Sequence, residues 1–211
     1  NDPSIFVQKG KLIEKLAATG KDTMPDLVQS QIWYVTDSLD IWYYDNLDKS
    51  LRLGSDPNNT KISTKEDISQ IIHANNNRLI AKINQEIVVI SLEKNNPEVK
   101  NIPVESVTYS DGTDEWIAWS PWELWTIFPS GEIFLLNRTS EAVDEVVPLD
   151  EFGLLLFLNE NTVNGFNPGY YITHELFAEG KIDKISADIK KRKIYFWGEV
   201  DSEKGLFELE Y

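Results

Sequence analysis

Acids are the residues most able to do chemistry here: 35 of the 211 positions are Asp or Glu. One stands in or beside each of four apolar pairs. Asp67 precedes Ile68 and Ile71, Glu105 lies between Val104 and Val107, Asp144 and Glu145 between Val143 and Val146, and Asp183 between Ile182 and Ile185. Two carboxylates flanking a cleft can serve as general acid and general base in glycoside hydrolysis. That work requires unlike surroundings, so that one group keeps its proton while the other stays ionised. An acid returning at the same place in every unit has like surroundings, as a turn residue does. A structural role is the expectation for all of them.

Other chemistries find less to build on. Asp37, Asp40, Asp45 and Asp48 form a second acidic run. Calcium needs converging oxygen ligands and a loop such as Asp-x-Asn-x-Asp-Gly, which this spacing does not match. Solvated turns are the better account. The two histidines, His73 and His174, lack a second ligand at metal-binding spacing and are read as filler. Cysteine is absent, so no thiolate nucleophile, thiolate metal site or disulfide exists. There is no Gly-x-Ser-x-Gly and no Gly-rich loop ahead of a helix. The expectation is no catalytic residue, no metal and no cofactor.

The apolar pairs themselves recur, with starts at Ile68, Val104, Val143 and Ile182, spaced 36, 39 and 39 residues apart. A second strand begins 11 or 12 residues later, at Leu79, Trp116, Leu154 and Ile194, and a third carries Ile87, Leu124, Val163 or Leu206. Segments such as Arg78–Asn84, Glu86–Leu92, Glu115–Ser120, Glu132–Asn137 and Lys193–Gly198 are short and rich in branched and aromatic residues, which suit a pleated surface. Turn formers separate them, among them Asn75-Asn76-Asn77, Asp111-Gly112 and Asn167-Pro168-Gly169. Leu154–Leu158 and Ile87–Ile90 are apolar on both faces, as strands in stacked sheets must be. Such a period made only of strands predicts an all-β chain, a β-propeller of four-stranded blades.

About five blades fit the length. The units run over 20–67, 68–103, 104–142, 143–181 and 182–211, with 1–19 left over, in one domain spanning 1–211. The last unit offers only three strands, so an amino-terminal strand is expected to complete it; the alternative is a partial ring of a larger propeller. Ile5–Leu16 aligns with Thr126–Asn137 and is read as a strand pair rather than a helix. Lys21–Ser30 and Ser55–Asp67 fit no strand. Trp33 and Trp116 lie 83 residues apart, as do Asp40-Ile41-Trp42 and Glu123-Leu124-Trp125, which equates those segments at two periods. The start at Asn1 reads as that of a processed or excised chain.

Connections between second and third strands should emerge on one face. They carry Asp37, Ser38, Asn84, Gln85, Trp122, Asn159, Glu160 and Asn161. Of the four clustered tryptophans, Trp116, Trp119 and Trp125 should fill gaps between blades, while Trp122 sits in a connection. A rim of amides and acids with one exposed indole could bind a glycan or a protein loop.

The net charge of −15 argues against nucleic-acid or anionic-membrane surfaces. The one basic run, Lys190–Lys193, falls in a strand-to-strand turn. No apolar run is long enough to cross a membrane as a helix.

Trp116-Ile-Ala-Trp-Ser-Pro-Trp-Glu-Leu-Trp, Leu135-Leu-Asn-Arg-Thr-Ser and Ile194-Tyr-Phe-Trp-Gly-Glu with Gly205-Leu-Phe-Glu-Leu-Glu together resemble the carboxy-terminal propeller of bacterial PEGA-domain envelope proteins, relatives of TolB-like and WD-repeat propellers. The resemblance covers roughly residues 30–211. It implies a module held outside the cytoplasm behind a membrane anchor, in the cell envelope, acting as a non-enzymatic interaction scaffold for a protein or glycan partner. TolB-type repeats follow Trp-Ser-Pro with Asp-Gly, whereas Trp122-Glu123 stands here. A lectin-like propeller and a five-bladed glycoside hydrolase are the other readings.

Overall fold

The computed structural model describes residues 5–9, 12–17, 20–23, 30–56, 61–75, 77–92 and 98–211. They form two compact units, Asn1–Ile102 and Pro103–Tyr211. All regular elements among them are strands, and each pairs antiparallel with its neighbours in chain order.

Unit 1 holds three sheets. The first is β1 (Ile5–Lys9), β2 (Leu12–Ala17) and β3 (Gly20–Thr23). The second is β4 (Trp33–Val35), β5 (Ile41–Asp45), β6 (Ser50–Leu53) and β7 (Lys61–Ser63). The third is β8 (Ile68–Ala74), β9 (Arg78–Ile83), β10 (Glu86–Ser91) and β11 (Glu98–Ile102). Trp42, Tyr44 and Leu51 pack against Ile68, Ile71, Leu79, Val88 and Ile90, so the core lies between the second and third sheets.

Unit 2 holds three more. The first is β12 (Ser106–Ser110), β13 (Glu115–Trp119), β14 (Glu123–Ile127) and β15 (Ile133–Arg138). The second is β16 (Glu145–Pro148), β17 (Leu155–Asn159), β18 (Thr162–Asn167) and β19 (Ile172–Phe177). The third is β20 (Lys181–Asp188), β21 (Lys193–Val200) and β22 (Glu203–Glu210). The middle sheet is sandwiched. Leu155 and Phe157 pack toward Ile117 and Leu124, while Leu156 and Leu158 pack toward Ile194 and Phe196. Period-two alternation on a strand apolar on both faces produces this.

The recurring pairs fall on equivalent elements. Ile68/Ile71, Val104/Val107, Val143/Val146 and Ile182/Ile185 lie in, or lead into, β8, β12, β16 and β20, the first strand of four sheets. All but the half-buried Val107 are buried. The same backbone bond recurs at two of them: Glu105 N donates to Trp119 O (3.1 Å) and Asp144 N to Leu158 O (2.8 Å). The amino-terminal pair is a hairpin, with Ile5 opposite Leu16 and Lys9 opposite Leu12.

Three expectations are corrected. β1 pairs with β2, and β2 with β3, so the amino-terminal strands make a sheet of their own instead of supplying the fourth strand of β20–β22. Gly20–Thr23 and Lys61–Ser63 are strands despite their polar sequence, each on the edge of its sheet, and the second needs only Ile62 to reach the core. Residues 24–29 and 57–60 of those same stretches lie outside the described residues. Finally, Trp33 is on the first strand of its sheet and Trp116 on the second of its own. The shared offset of 83 was therefore a slip of one strand, possible because adjacent strands bury similar aromatic residues.

Gly198 is required by close backbone approach. It pairs with Ile182, and a Cβ there would lie 2.1 Å from the Lys181 carbonyl oxygen. Gly198→Ala should destabilise the protein by about 1–3 kcal/mol, read as a lowered urea midpoint. Gly205→Ala is the control, since a Cβ there meets nothing within 4 Å; it should leave the midpoint unchanged or slightly raised.

Tyr44 is fully buried, and its hydroxyl donates to Asp67 Oδ1 at 2.9 Å. Burial, with the Asp67 charge adding to it, raises the phenol above its ordinary value of 10.0. The folded chain keeps this proton where the unfolded chain loses it, so stability falls as pH rises above about 10 toward the raised folded value. In urea titrations from about pH 8 to about pH 11, Tyr44→Phe should flatten that decline; an unchanged slope would assign it elsewhere.

Candidate functional site

β17 ends in a residue that breaks its apolar run. Alternation puts Asn159 on the same face as Leu155 and Phe157. Pairing sets Asn164 opposite Phe157, Phe166 opposite Leu155, and Thr173 opposite Phe166, so all six face the β12–β15 sheet. The Phe157 and Phe166 rings close the apolar layer at 5.3 Å. Past Phe157 a cleft of about 240 Å³ opens. Asn159, Asn164 and Thr173 line it from one side, and Asn137, Arg138, Thr139, Ser140 and Glu141 from the other.

Backbone bonds fix the outer wall. Thr139 N donates to Trp122 O at 3.0 Å, and Val143 N to Pro121 O at 2.8 Å. The Thr139 hydroxyl also donates to Pro121 O at 3.3 Å. The β13–β14 connection is thus laid along the loop that borders the cleft, with the Trp122 side chain 55% exposed. β-Bulges at Leu124/Trp125 and at Val163/Asn164 interrupt the two third strands, re-aiming the side chains that follow. Arg138 Nε donates to Glu123 Oε1 at 3.1 Å, so its charge is already paired.

Asn159 is only 6% exposed, and its Oδ1 has no hydrogen-bond partner. Leaving such a group unmatched costs about 1–3 kcal/mol. Beyond it, Glu160 and Asn161 form a two-residue hairpin turn, in which Glu160 has φ 52° and its N–H donates to Asp144 Oδ2 at 2.9 Å.

In unit 1, Asn84 and Gln85 form the equivalent turn between β9 and β10. The Asn84 amide donates to Glu66, and both residues line a groove of about 420 Å³ with Val88, Ile90 and Val99. Asp37 and Ser38 are not equivalent to these. They join a first strand to a second, and successive connections of a meander emerge at opposite ends. The one-strand slip at Trp33 misplaced them; the equivalent connection in that sheet is Asn46–Lys49. Of the eight rim residues, Asn159 lines the cleft in unit 2 and Asn84 the groove in unit 1; Glu160 and Asn161 form the turn after Asn159, Gln85 the turn with Asn84, and the Trp122 carbonyl bonds to Thr139 on the cleft wall.

The acids have structural work. Asp67 accepts from Tyr44 and pairs with Lys49, and Asp144 caps the Glu160 turn. Glu145 Oε2 accepts Ile185 N at 2.9 Å, tying β16 to β20, and Asp183 pairs with Lys181 at 3.7 Å. Asp45 and Asp48 hold Arg52. His73 sits within β8, and its Nδ1 is 3.2 Å from the Tyr34 hydroxyl; His174 is exposed on β19. The basic run lies at the β20–β21 turn, with Arg192 over the Tyr211 ring, Lys191 on Asp188 and Lys193 on Glu208. Among the described residues, no helix is long and apolar enough to cross a membrane.

Solved structures share this architecture. Kluyveromyces lactis Hsv2 matches at TM-score 0.57 and 10% identity, over 93% of this chain and 68% of that one. Kluyvelomyces marxianus Hsv2 matches at TM-score 0.58 and 8% identity, over 98% and 68%. The β-propeller domain of Myceliophteria thermophila Cps50 (Swd1) matches at TM-score 0.50 and 10% identity, over 98% and 89%. The fold is that of a β-propeller. No family model and no curated protein matches the sequence.

Sequence reasoning missed Arg138, Thr139, Asn164 and Thr173 at the cleft, since register rather than spacing brings them together. The readable signal was an Asn closing an otherwise apolar second strand.

A left-handed conformation disfavours Glu160 but is tolerated by Asn. Glu160→Asn should raise stability by about 1 kcal/mol, seen as a higher urea midpoint. A lowered midpoint would show that the glutamate makes a compensating contact.

Proposed function

We propose that this chain is a non-enzymatic interaction module, a propeller whose second-to-third connections present binding surfaces to a partner. The observation that carries the reading is where the acids go. Of the five beside the apolar pairs, Asp144 caps a turn, Asp67 holds the Tyr44 hydroxyl and Glu145 bonds one sheet to the next, while the cleft lining is mostly amides and hydroxyls, with Arg138 and Glu141 its charged members. The envelope placement rests on the sequence resemblance to PEGA-domain and TolB-like propellers. On that reading the module stands outside the cytoplasm of a bacterium and presents its rim to a protein. Subcellular fractionation with antibody detection tests it; recovery in the cytosolic fraction alone would refute the placement.

A glycoside hydrolase is the reading to exclude by experiment. Incubation with a panel of polysaccharides should release no reducing ends above the buffer rate. Turnover that disappears in Glu105→Gln or Asp144→Asn would overturn the non-enzymatic reading.

A further inference from the structure

β22 is the third strand of its sheet and has a neighbour on one side only. The third strands β6, β10, β14 and β18 are each paired on both sides and hold buried residues; β22 holds none. It follows a two-residue hairpin turn at Asp201 and Ser202, both with positive φ. Just past its end, the Tyr211 N–H donates to Arg192 O at 3.3 Å. Alternate residues of β22 therefore bond inward to β21, and the N–H and C=O of Lys204, Leu206, Glu208 and Glu210 point away from the sheet. An eight-residue edge of this kind is a template for another strand.

The side chains of β22 select which strand. Lys204, Leu206 and Glu208 share one face of the sheet, where Leu206 stands opposite Trp197. Both are exposed, Leu206 by 65% and Trp197 by 45%. In an antiparallel pair of β22 strands from two copies, with Leu206 on the two-fold axis, Leu206 meets Leu206 and Lys204 meets Glu208 twice. No acid lies opposite an acid in that register. Lys193 holds Glu208 Oε1 at 2.7 Å, which leaves Oε2 for the incoming Lys204. An apolar row from Trp197 through both Leu206 side chains to the second Trp197 runs across the join. Sliding the second strand by two residues either way sets Leu206 against Lys204 or Glu208 and breaks the row. The net charge of −15 opposes association at long range, but salt screens it beyond about 8 Å while the lysine–glutamate pairs act at contact. We infer that two copies of this chain form a symmetric dimer edge to edge through β22, in one continuous six-stranded sheet. Pairing about a two-fold axis occupies both edges at once, so it closes instead of propagating. The contact uses neither the cleft nor the connections of the interaction rim.

Sedimentation equilibrium of the whole chain should show monomer and dimer with a dissociation constant of about 10–100 µM, as befits a small interface. Hydrogen exchange read by NMR should show the Lys204, Leu206 and Glu208 amides gaining protection as concentration rises. Lys204→Glu and Glu208→Lys should each lose self-association, because each sets like charges opposite one another. An equimolar mixture of the two variants should dimerise, since every facing pair is again a lysine with a glutamate. Leu206→Glu should weaken association about tenfold or more. Its exposed position keeps the test decisive if Glu208→Lys disturbs the contact with Lys193. A chain still monomeric at about 500 µM, association that leaves those amides unprotected, a folded mixture that stays monomeric, or association unchanged in Leu206→Glu would each overturn the inference. The first result would leave the edge to a strand from a different protein.

Discussion

Face-to-face packing of sheets is the constraint on which everything else here depends. A strand between two apolar layers must be apolar on both sides, and β17 meets this literally, with Leu155–Asn159 buried throughout. Its even and odd residues go to different cores: Leu156 and Leu158 to one, Leu155 and Phe157 to the other. Because each layer is shared, a residue chosen for one sheet sets what the next may carry. The tie between Glu145 and the Ile185 N–H shows the same dependence in polar form, since one sheet satisfies a donor belonging to its neighbour.

That dependence decides what the acids can do. A carboxylate that accepts a backbone N–H or a buried phenol is held by bonds the fold needs, as with Asp144 at the Glu160 turn and Asp67 at Tyr44. Reassigning such a group to proton transfer would leave a donor without its acceptor, at a cost comparable with a lost hydrogen bond. Repetition of an acid from unit to unit is thus a consequence of repeated backbone geometry. The paired bonds from Glu105 N to Trp119 O and from Asp144 N to Leu158 O mark the geometry that repeats.

Much of the fold was legible because burial on a pleated sheet writes itself into residue type. The apolar pairs marked first strands, the runs at Ile87–Ile90 and Leu155–Leu158 marked sandwiched strands, and Ile5–Leu16 marked a hairpin. Register between unlike sheets was not legible. Trp33 and Trp116 are similar in type and surroundings yet sit on different strands of their sheets, so spacing alone placed Asp37 and Ser38 one connection too late. Polar edge strands, Gly20–Thr23 and Lys61–Ser63, escaped for the opposite reason: they are three or four residues long and mostly polar, and a single apolar residue such as Ile62 makes no pattern. At the site, Asn159 could be picked out by type and place. Arg138, Thr139, Asn164 and Thr173 join it only through pairing across strands, which no local pattern records.

A shared apolar layer has to end somewhere, and its end is where a repeat fold can acquire a site at least cost to its core. At Ile83 and Val200 the layer is carried to the last residue of the second strand, and side chains close it against its neighbour. At Asn159 it stops one residue short, and the space past Phe157 is bounded by polar side chains instead, Arg138 and Glu141 among them. The change leaves the Phe157–Phe166 contact and the ladder beneath it intact. Stability then resides in the part of the layer that repeats, while the clefts at its ends can carry residues of their own without disturbing the architecture.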